Sequence, residues 1–287
     1  MYSNIVIPEW AVNCFVIGDN NRRKMLVLDN LNKFRFKPEI VTPNFLQEWP
    51  ENFSKKRSLA LTRRSLSLGE IGCAKSHIDC YGKFLSKKHP LTLIFEDDAY
   101  LAQINFSAFI YALEQIEVME EKLEYLGRVY TFFTESAIVA KEATSEAKFL
   151  RVLGEPSHAV CYVVNRKGAE ALMSANKNFD FQADWPKSAR INYFLYSNKL
   201  ISHGETYQIN DSFLDSQRKS LTHSKIKTLY LAAKSIFFVT YILNKQYYKS
   251  KNQYLLINVL PILKWRLHRC FSKQLKNWPN GVRIVLW

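Results

Sequence analysis

Glu96, Asp97 and Asp98 are three adjacent carboxylates that directly follow a short apolar run. Like charges this close repel one another, so a cation normally offsets the repulsion. Carboxylate oxygens at this density suit Mg²⁺ or Mn²⁺, which often bridge to a substrate that carries phosphate. Acidic loops are also common as solvated turns on protein surfaces. The three residues therefore indicate either a metal site or an inert acidic turn.

The apolar run 91–95 indicates how these acids are positioned. It follows Pro90, and apolar runs of this length are typical of a central strand in a sheet that is covered on both faces. Ligands of such sheets collect beyond the carboxyl ends of the strands, so we expect the acids at the ligand-binding edge. Because side chains alternate along extended backbone, Glu96 and Asp98 are expected on one side and Asp97 on the other.

Strands and helices are predicted to alternate before and after this strand. Apolar spacing predicts strands at 11–17, 39–41, 91–95, 128–133, 137–140 and 159–164. It predicts helices at 22–36, 67–88, 106–116 and 169–175. The alternation indicates an α/β fold, with helices on both faces of the sheet.

The helix at 67–88 has the clearest start signal. Ser67 and Glu70 match a capping box, in which the Ser side chain caps a backbone N–H and the Glu side chain reaches back. The predicted inward stripe of this helix consists of Ile71, Ala74, Ile78, Tyr81 and Leu85.

Composition and missing motifs exclude several classes of protein. At 287 residues and 47% hydrophobic content, the chain can form a real core. GxGxxG, GxxxxGK[ST] and GxSxG are absent, which argues against a Rossmann dehydrogenase, a P-loop NTPase and an α/β-hydrolase. The 5 cysteines are scattered without a CxxC pair, so neither a disulfide framework nor a zinc site is predicted. A reducing cytosol fits this usage, and no secretory signal is recognised at residues 1–10.

Charge divides the chain into two parts. The net charge is +14, and residues 216–287 contain 14 Lys and Arg but no Asp or Glu, so residues 1–215 are neutral overall. We therefore predict a catalytic domain at 1–215 and a basic, aromatic, largely helical tail at 216–287. The apolar window 226–243 contains Lys227 and Lys234 and is too short for a membrane span.

An interfacial role fits this tail better than a spanning one. Aromatic side chains would enter the bilayer surface, and each basic residue near an anionic leaflet contributes about 1 kcal/mol. The alternative is that the apolar stripe packs on the catalytic domain or on a second subunit.

Four segments together resemble glycosyltransferase family 25, the bacterial lipopolysaccharide and lipooligosaccharide glycosyltransferases that include β-galactosyltransferases. Their order and spacing over about 11–226 carry the resemblance. The segments are the first strand with Asn21-Arg22-Arg23, Gly69-Glu70-Ile71-Gly72-Cys73-Ala74-Lys75-Ser76-His77, Ile94-Phe95-Glu96-Asp97-Asp98-Ala99, and residues 159–169 followed by Asp184.

The resemblance implies a GT-A-like nucleotide-sugar-binding fold with a mixed, mostly parallel sheet. It implies transfer of a hexose, galactose first and glucose next, from a UDP-sugar with inversion at the anomeric carbon. The acceptor would be a hydroxyl of a lipid-linked lipooligosaccharide or lipopolysaccharide core. We expect a cytoplasmic protein, held by 216–287 on the inner face of a bacterial inner membrane.

The resemblance also implies roles for individual residues. Asp98 and Glu96 are expected to bind the Mn²⁺ or Mg²⁺ ion and the ribose, and Asp97 is a further catalytic candidate as an alternative ligand. Asp184 is the expected general base, because inversion requires a group that removes the proton of the acceptor hydroxyl. Asp211 and Asp215 are fallback bases.

Further residues are expected around the donor. Arg22 and Arg23 would pair with the diphosphate, and Ser76 and His77 would contact the donor. Trp185, next to Asp184, could stack on a sugar face. For each of them the alternative is a structural or solvated side chain, and for Asp184 it is a helix cap.

Two other classes of function stay open. A metal-dependent nuclease or phosphodiesterase would use the acids for metal and the tail for a polynucleotide. The basic residues of 216–287 alternate with long aliphatic side chains, however, and we expect no nucleic-acid partner. A membrane-bound scaffold with inert carboxylates would bind liposomes without being stabilised by a nucleotide-sugar.

Overall fold

The structure is a computed structural model that describes residues 6–18, 21–62, 65–122, 126–134, 139–143, 148–152, 156–179, 181, 185–186, 189 and 191–203. The helices are α1 (Glu9–Val12), α2 (Asn21–Lys33), α3 (Lys55–Thr62), α4 (Leu68–Leu85), α5 (Phe106–Lys122) and α6 (Arg166–Ala175). The strands are β1 (Phe15–Ile17), β2 (Glu39–Val41), β3 (Leu91–Glu96), β4 (Ala99–Leu101), β5 (Gly127–Thr131), β6 (Val139–Ala143), β7 (Phe149–Val152), β8 (Cys161–Asn165), β9 (Ile191–Tyr196) and β10 (Ile201–His203).

The described strands form one large mixed sheet and one small sheet. The large sheet has the order β2-β1-β3-β8-β5-β9-β7-β6, and β4 pairs with β10 in the small one. β8 and β7 run against all their neighbours, so the other strands of the large sheet share one direction. The predicted α/β fold with a mixed, mostly parallel sheet is therefore confirmed.

Helices cover both faces of this sheet, as predicted. On one face, α2 and α5 pack against the side chains of Val16 and Phe95. On the other face, α4 and α6 pack against Phe15 and Ile94. Neighbouring residues of β1 and β3 thus pack against different helices, because successive side chains of a strand point to opposite faces.

The capping box at the start of α4 is formed as predicted. The Ser67 hydroxyl accepts a hydrogen bond from the Glu70 backbone N–H at 3.1 Å, and the Ser67 N–H donates to the Glu70 carboxylate at 3.0 Å. The predicted inward stripe is partly wrong, because Ile78 and Leu85 are only half-buried. The buried face instead includes His77, Cys80 and Phe84 besides Ile71, Ala74 and Tyr81. His77 is polar but lies on the buried face of α4. A pattern of apolar residues alone therefore gave the wrong orientation of this helix.

Several element boundaries differ from the sequence prediction. The first strand begins only at Phe15, because Glu9–Val12 form a short helix that starts after Pro8. The strand expected at 137–140 lies at 139–143. α3, β4, β7, β9 and β10 were not predicted. Most of these elements are short, and their pairing depends on distant parts of the chain rather than on local apolar spacing.

The predicted domain boundary at 215/216 and the whole tail lie outside the described residues. Among the residues that are described, no helix is both long and apolar enough to cross a membrane.

Candidate active site at the carboxyl end of β3

The carboxyl ends of three parallel strands meet at one edge of the sheet. β1 lies between β2 and β3, with Ile17 opposite both Val41 and Glu96. The antiparallel β8 begins at the same edge, where the Glu96 N–H donates to the Val160 carbonyl at 2.8 Å. This is the edge at which ligands of open α/β sheets bind.

Asp97 packs directly against the end of β1. A Cβ atom added to Gly18 would lie 2.3 Å from the Cβ of Asp97, closer than real Cβ contacts allow. Gly18 therefore lets the acidic turn approach β1, and any side chain there would displace Asp97.

Glu96 is held by a buried cluster on the α4 face, which we call the Glu96 cluster (Glu96, His77, Tyr162 and Tyr81). Its carboxylate Oε1 lies 3.1 Å from His77 Nε2, and His77 Nδ1 lies 2.7 Å from the Tyr162 hydroxyl. The Tyr162 hydroxyl is in turn 2.8 Å from that of Tyr81. Side chains alternate along β3, so Glu96 lies on the same face as Ile94, which pairs with Tyr162 in the sheet. This position brings Glu96 to His77 and Tyr162.

The inner part of the Glu96 cluster is closed to solvent. His77, Tyr81 and Tyr162 are 1%, 3% and 0% exposed. Burial raises the pKa of Tyr81 and raises that of Tyr162 well above its ordinary value, so both phenols stay neutral hydrogen-bonding groups. Their chain of hydroxyls fixes the His77 ring, and the ring positions Glu96.

Asp98 belongs to a second group, which we call the Asp98 cluster (Asp98, His203 and Arg23). Its carboxylate Oδ2 lies 3.0 Å from His203 Nε2 and 4.0 Å from Arg23 Nη1. β10 brings His203 there, because His203 pairs with Ala99, the residue after Asp98. Arg23 comes from the first turns of α2.

The second oxygen of Asp98, Oδ1, is buried and has no hydrogen-bond partner among the described residues. Buried carboxylate oxygens normally have a hydrogen-bond partner, so this oxygen can accept one from a ligand, an ion or a water.

The predicted orientation of the acids is wrong for Glu96 and Asp98. β3 ends at Glu96, and residues 97–98 form a turn rather than extended backbone. Alternation therefore stops at Glu96, and the two carboxylates contact different helices, α4 and α2, on opposite faces of the sheet. The structure does bring Arg23 to Asp98 and His77 to Glu96.

Ser76 is buried in α4, and its hydroxyl is engaged locally. It donates to the Gly72 carbonyl at 2.8 Å and accepts from the Asn44 N–H at 2.9 Å. A Cβ on Gly72 would lie 2.0 Å from the Asn44 carbonyl oxygen, so the loop after β2 rests on this part of α4. Ser76 holds that loop against the helix, and its contact with the donor stays a prediction.

Trp185 does not offer a face for sugar stacking, and this expectation is wrong. It is 3% exposed, lies edge-on to Tyr162 and Tyr193, and donates from Nε1 to the His158 carbonyl at 3.2 Å. Asp184, Asp211, Asp215 and the Arg22 side chain lie outside the described residues, so their predicted roles stay predictions.

His203 is the residue of the site that sequence reasoning missed. Its ring also lies 5.3 Å from that of Phe133 and 5.6 Å from that of His158. His158 has a φ of 61°, a left-handed conformation that is uncommon for a residue with a side chain and often occurs at functional sites. No local motif marks His203, since only the pairing of β10 with β4 places it near the acids.

Carboxylates at the end of a central strand of a mixed sheet are consistent with a GT-A-like nucleotide-sugar-binding protein. The sequence profile of Glycosyltransferase family 25 (LPS biosynthesis protein) matches residues 16–186, more than half of the chain, and the chain belongs to this family. The predicted family, a family of glycosyltransferases, is thereby confirmed.

A protein of Haemophilus influenzae named "Putative glycosyltransferase" is 31% identical over 146 residues. The matched part is 49% of this chain and 47% of that protein, so the chain matches about half the length of this relative.

Proposed function

We propose that this protein transfers a hexose, galactose first and glucose next, from a UDP-sugar to a hydroxyl of a lipid-linked lipopolysaccharide or lipooligosaccharide core. The observation that carries the proposal is the Asp98 cluster at the carboxyl end of β3. An imidazole and a guanidinium lie within 4.0 Å of Asp98 Oδ2, and the second carboxylate oxygen, Oδ1, is buried without a hydrogen-bond partner among the described residues. The family description, LPS biosynthesis protein, supports this class of acceptor.

A divalent metal fits the Asp98 cluster. Carboxylate oxygen and imidazole nitrogen are ligands that Mn²⁺ accepts, and Asp98 Oδ1 is already desolvated. Asp98 and His203 would hold the ion, which when bound would neutralise charge on the departing UDP. Asp97 is the nearest further carboxylate in sequence, fixed by its contact with Gly18.

Arg23 supports binding of the diphosphate from the other side of Asp98. A guanidinium is always charged and presents several donors in one plane, which suits phosphate oxygens. Its Nη1 lies 4.0 Å from Asp98 Oδ2, which places the guanidinium beside the acidic turn.

Glu96 is proposed to bind the ribose. His77 holds its Oε1 in place at 3.1 Å, while the Glu96 side chain remains 22% exposed at the ligand-binding edge. A positioned carboxylate is a good acceptor for a sugar hydroxyl, because both of its oxygens accept hydrogen bonds.

The chemical step proposed is a single displacement with inversion. A carboxylate, with Asp184 as first choice, takes the proton of the acceptor hydroxyl as its oxygen forms the bond to the anomeric carbon. The bond from that carbon to the UDP oxygen breaks at the same time, and UDP leaves with the electron pair. The Arg23 guanidinium then stabilises the negative charge that develops on the leaving diphosphate.

The tail is proposed to bring the enzyme to its acceptor. Residues 216–287 carry 14 basic and no acidic residues, with many aromatics between them. Such a segment is attracted to an anionic leaflet, where a lipid-linked acceptor is located. We expect no nucleic-acid partner.

The direct test is release of UDP from UDP-galactose, UDP-glucose and UDP-N-acetylglucosamine by the full chain in Mn²⁺, with and without a truncated lipooligosaccharide acceptor. The proposal predicts acceptor-stimulated release that is fastest with UDP-galactose and absent in Asp98→Asn. Glu39→Gln, a surface change at the start of β2, is the control and should keep the wild-type rate. A wild-type rate in Asp98→Asn, or no release from any UDP-sugar, would contradict the proposal.

A further inference from the structure

A sulfur atom lies next to the Glu96 cluster. Cys73 is four residues before His77 on α4, so the two side chains project from the same face of the helix, one turn apart. The Cys73 sulfur, a His77 ring nitrogen and a Glu96 carboxylate oxygen all lie within 4.8 Å of one another. A thiol, an imidazole and a carboxylate thus converge from two elements, α4 and β3.

The His77 ring is already oriented as in a metal site. Its Nδ1 is engaged with the Tyr162 hydroxyl at 2.7 Å, which leaves Nε2 on the side of Glu96. Histidines that bind metals usually donate their other ring N–H to a fixed acceptor, and this partner sets the tautomer. Tyr81, 2.8 Å from the Tyr162 hydroxyl, fixes the acceptor in turn.

An ion could reach the group from the ligand-binding edge. His77 is buried, but Cys73 and Glu96 are only half-buried. The group therefore has a solvent side and a closed side, as expected for three protein ligands with one position left open.

From this geometry we propose that Cys73, His77 and Glu96 bind a divalent cation of the borderline-soft class, of which Zn²⁺ is the expected member. Thiolate and imidazole favour Zn²⁺ over the hard ions Mg²⁺ and Mn²⁺, and a carboxylate completes a three-ligand set. The site is separate from the Asp98 cluster, which provides no sulfur ligand and contacts α2 and β10 instead. This inference does not depend on the proposed transfer reaction.

Binding would release the Cys73 proton and convert the His77 to Glu96 contact into shared coordination. Because the thiolate is the ligand, Zn²⁺ competes with the thiol proton, and Zn²⁺ affinity should rise with pH. Three protein ligands leave a fourth position for water or for a donor group of a substrate.

The test uses Co²⁺ as a spectroscopic probe for Zn²⁺ on the reduced full chain. Wild type should show a thiolate-to-cobalt charge-transfer band in the near ultraviolet and visible bands of tetrahedral Co²⁺, both removed by added Zn²⁺. Cys73→Ser should lose the charge-transfer band. Glu96→Gln should weaken Co²⁺ binding by more than the roughly 10 to 100-fold that loss of an outer-shell partner causes.

Two control variants separate this site from others. Cys80→Ala removes a thiol that is fully buried on the same helix and should keep the spectrum. Asp98→Asn should also keep it, since the two clusters are proposed to be distinct. The proposal is overturned if wild type shows no charge-transfer band, if Cys73→Ser and Glu96→Gln both bind Co²⁺ like wild type, or if Asp98→Asn abolishes the band. Circular dichroism of each variant confirms that it is folded before binding is compared.

Discussion

Glu96 and Asp98 are separated by one residue, yet they belong to two clusters that differ in almost every physical respect. Glu96 contacts a buried histidine whose other nitrogen meets two neutral tyrosine hydroxyls. Asp98 contacts two side chains that can carry positive charge, and its Oδ1 is buried without a hydrogen-bond partner among the described residues. The buried part of the first cluster is linked by hydrogen bonds, whereas the second has a buried oxygen without a hydrogen-bond partner among the described residues.

The difference shows how one strand end can serve stability and binding together. A fully satisfied buried network makes the fold rigid, because any broken hydrogen bond leaves a desolvated polar group. An unsatisfied buried oxygen costs stability and is retained where a ligand completes it. We therefore expect changes at the buried tyrosines of the Glu96 cluster, Tyr81 and Tyr162, to act mainly on stability, and changes in the Asp98 cluster to act mainly on ligand binding and rate.

The largest effect is expected for Asp98→Asn. Loss of the charge removes several kcal/mol of stabilisation from the departing UDP, so kcat should fall about a thousandfold or more. The melting temperature without ligand should stay near that of wild type, since the change relieves a buried charge. Steady-state kinetics with calorimetric melting tests both, and a rate within tenfold of wild type would remove the functional difference between the clusters.

Gly18→Ala should have the next largest effect. The added Cβ would meet the Asp97 Cβ at 2.3 Å, so the acidic turn must move. A displacement of about 1 Å at a reacting site costs roughly 100-fold in rate. The matched control is Gly82→Ala on α4, where an added Cβ meets nothing within 4 Å. The control should keep its rate and gain up to about 1 kcal/mol from helix propensity.

His203→Gln should weaken Mn²⁺ binding in the presence of UDP by roughly 100-fold, the upper end of the loss that removal of an outer-shell partner causes, because His203 is a proposed ligand. The glutamine keeps a polar end but loses the imidazole nitrogen that lies 3.0 Å from Asp98 Oδ2. His89→Gln, in the turn before β3, is the control histidine. Mn²⁺ titration followed by electron paramagnetic resonance measures the affinity, and equal affinities in all three proteins would remove His203 from the metal site.

Tyr162→Phe should affect stability more than binding. It removes the hydroxyl that lies between His77 and Tyr81, leaving polar atoms of both in a buried environment. The expected loss is about 1–3 kcal/mol of unfolding free energy. Urea denaturation measures it, together with UDP affinity at saturating Mn²⁺, which should change less than fivefold. A stable variant that no longer binds UDP would reverse the roles of the two clusters.

The smallest effect is expected at Glu39, far from both clusters. Hydrogen bonds from Lys83 and Lys87 lower its pKa below the ordinary 4.5, so the contribution is present above that pH and is lost as pH falls through the folded-state value. The three side chains are 33–46% exposed, and Glu39→Gln should cost less than about 1 kcal/mol at pH 7. The difference from wild type in urea melts should shrink as the pH falls below 4.5 and through the lowered folded-state pKa, and a constant difference across pH would contradict the assignment to this carboxylate.

Local signals in the sequence predicted much of the fold. The apolar run 91–95 became β3, the Ser67 and Glu70 pattern became a capping box, and the apolar spacing from Phe106 became α5. These signals depend on residues a few positions apart. His77 and Arg23 were also expected near the acids, but that expectation came from the family resemblance and not from these local signals.

The features of the site that the sequence did not predict depend on contacts between residues far apart in the chain. His203 reaches Asp98 only because β10 pairs with β4, about one hundred positions earlier. The turn at 97–98 sends Asp98 away from Glu96, which no alternation rule shows. Trp185 faces the core because Tyr162 and Tyr193 enclose it, although its polar neighbours in sequence are typical of a surface loop.

Calorimetric titration of UDP into wild type, Asp98→Asn and Tyr162→Phe, each with and without Mn²⁺, tests the central claim most directly. If the Asp98 cluster holds the metal and the donor diphosphate, Mn²⁺ should tighten UDP binding in wild type and in Tyr162→Phe but not in Asp98→Asn. Mn²⁺-dependent binding that persists in Asp98→Asn would contradict it, as would binding that is lost in a folded Tyr162→Phe.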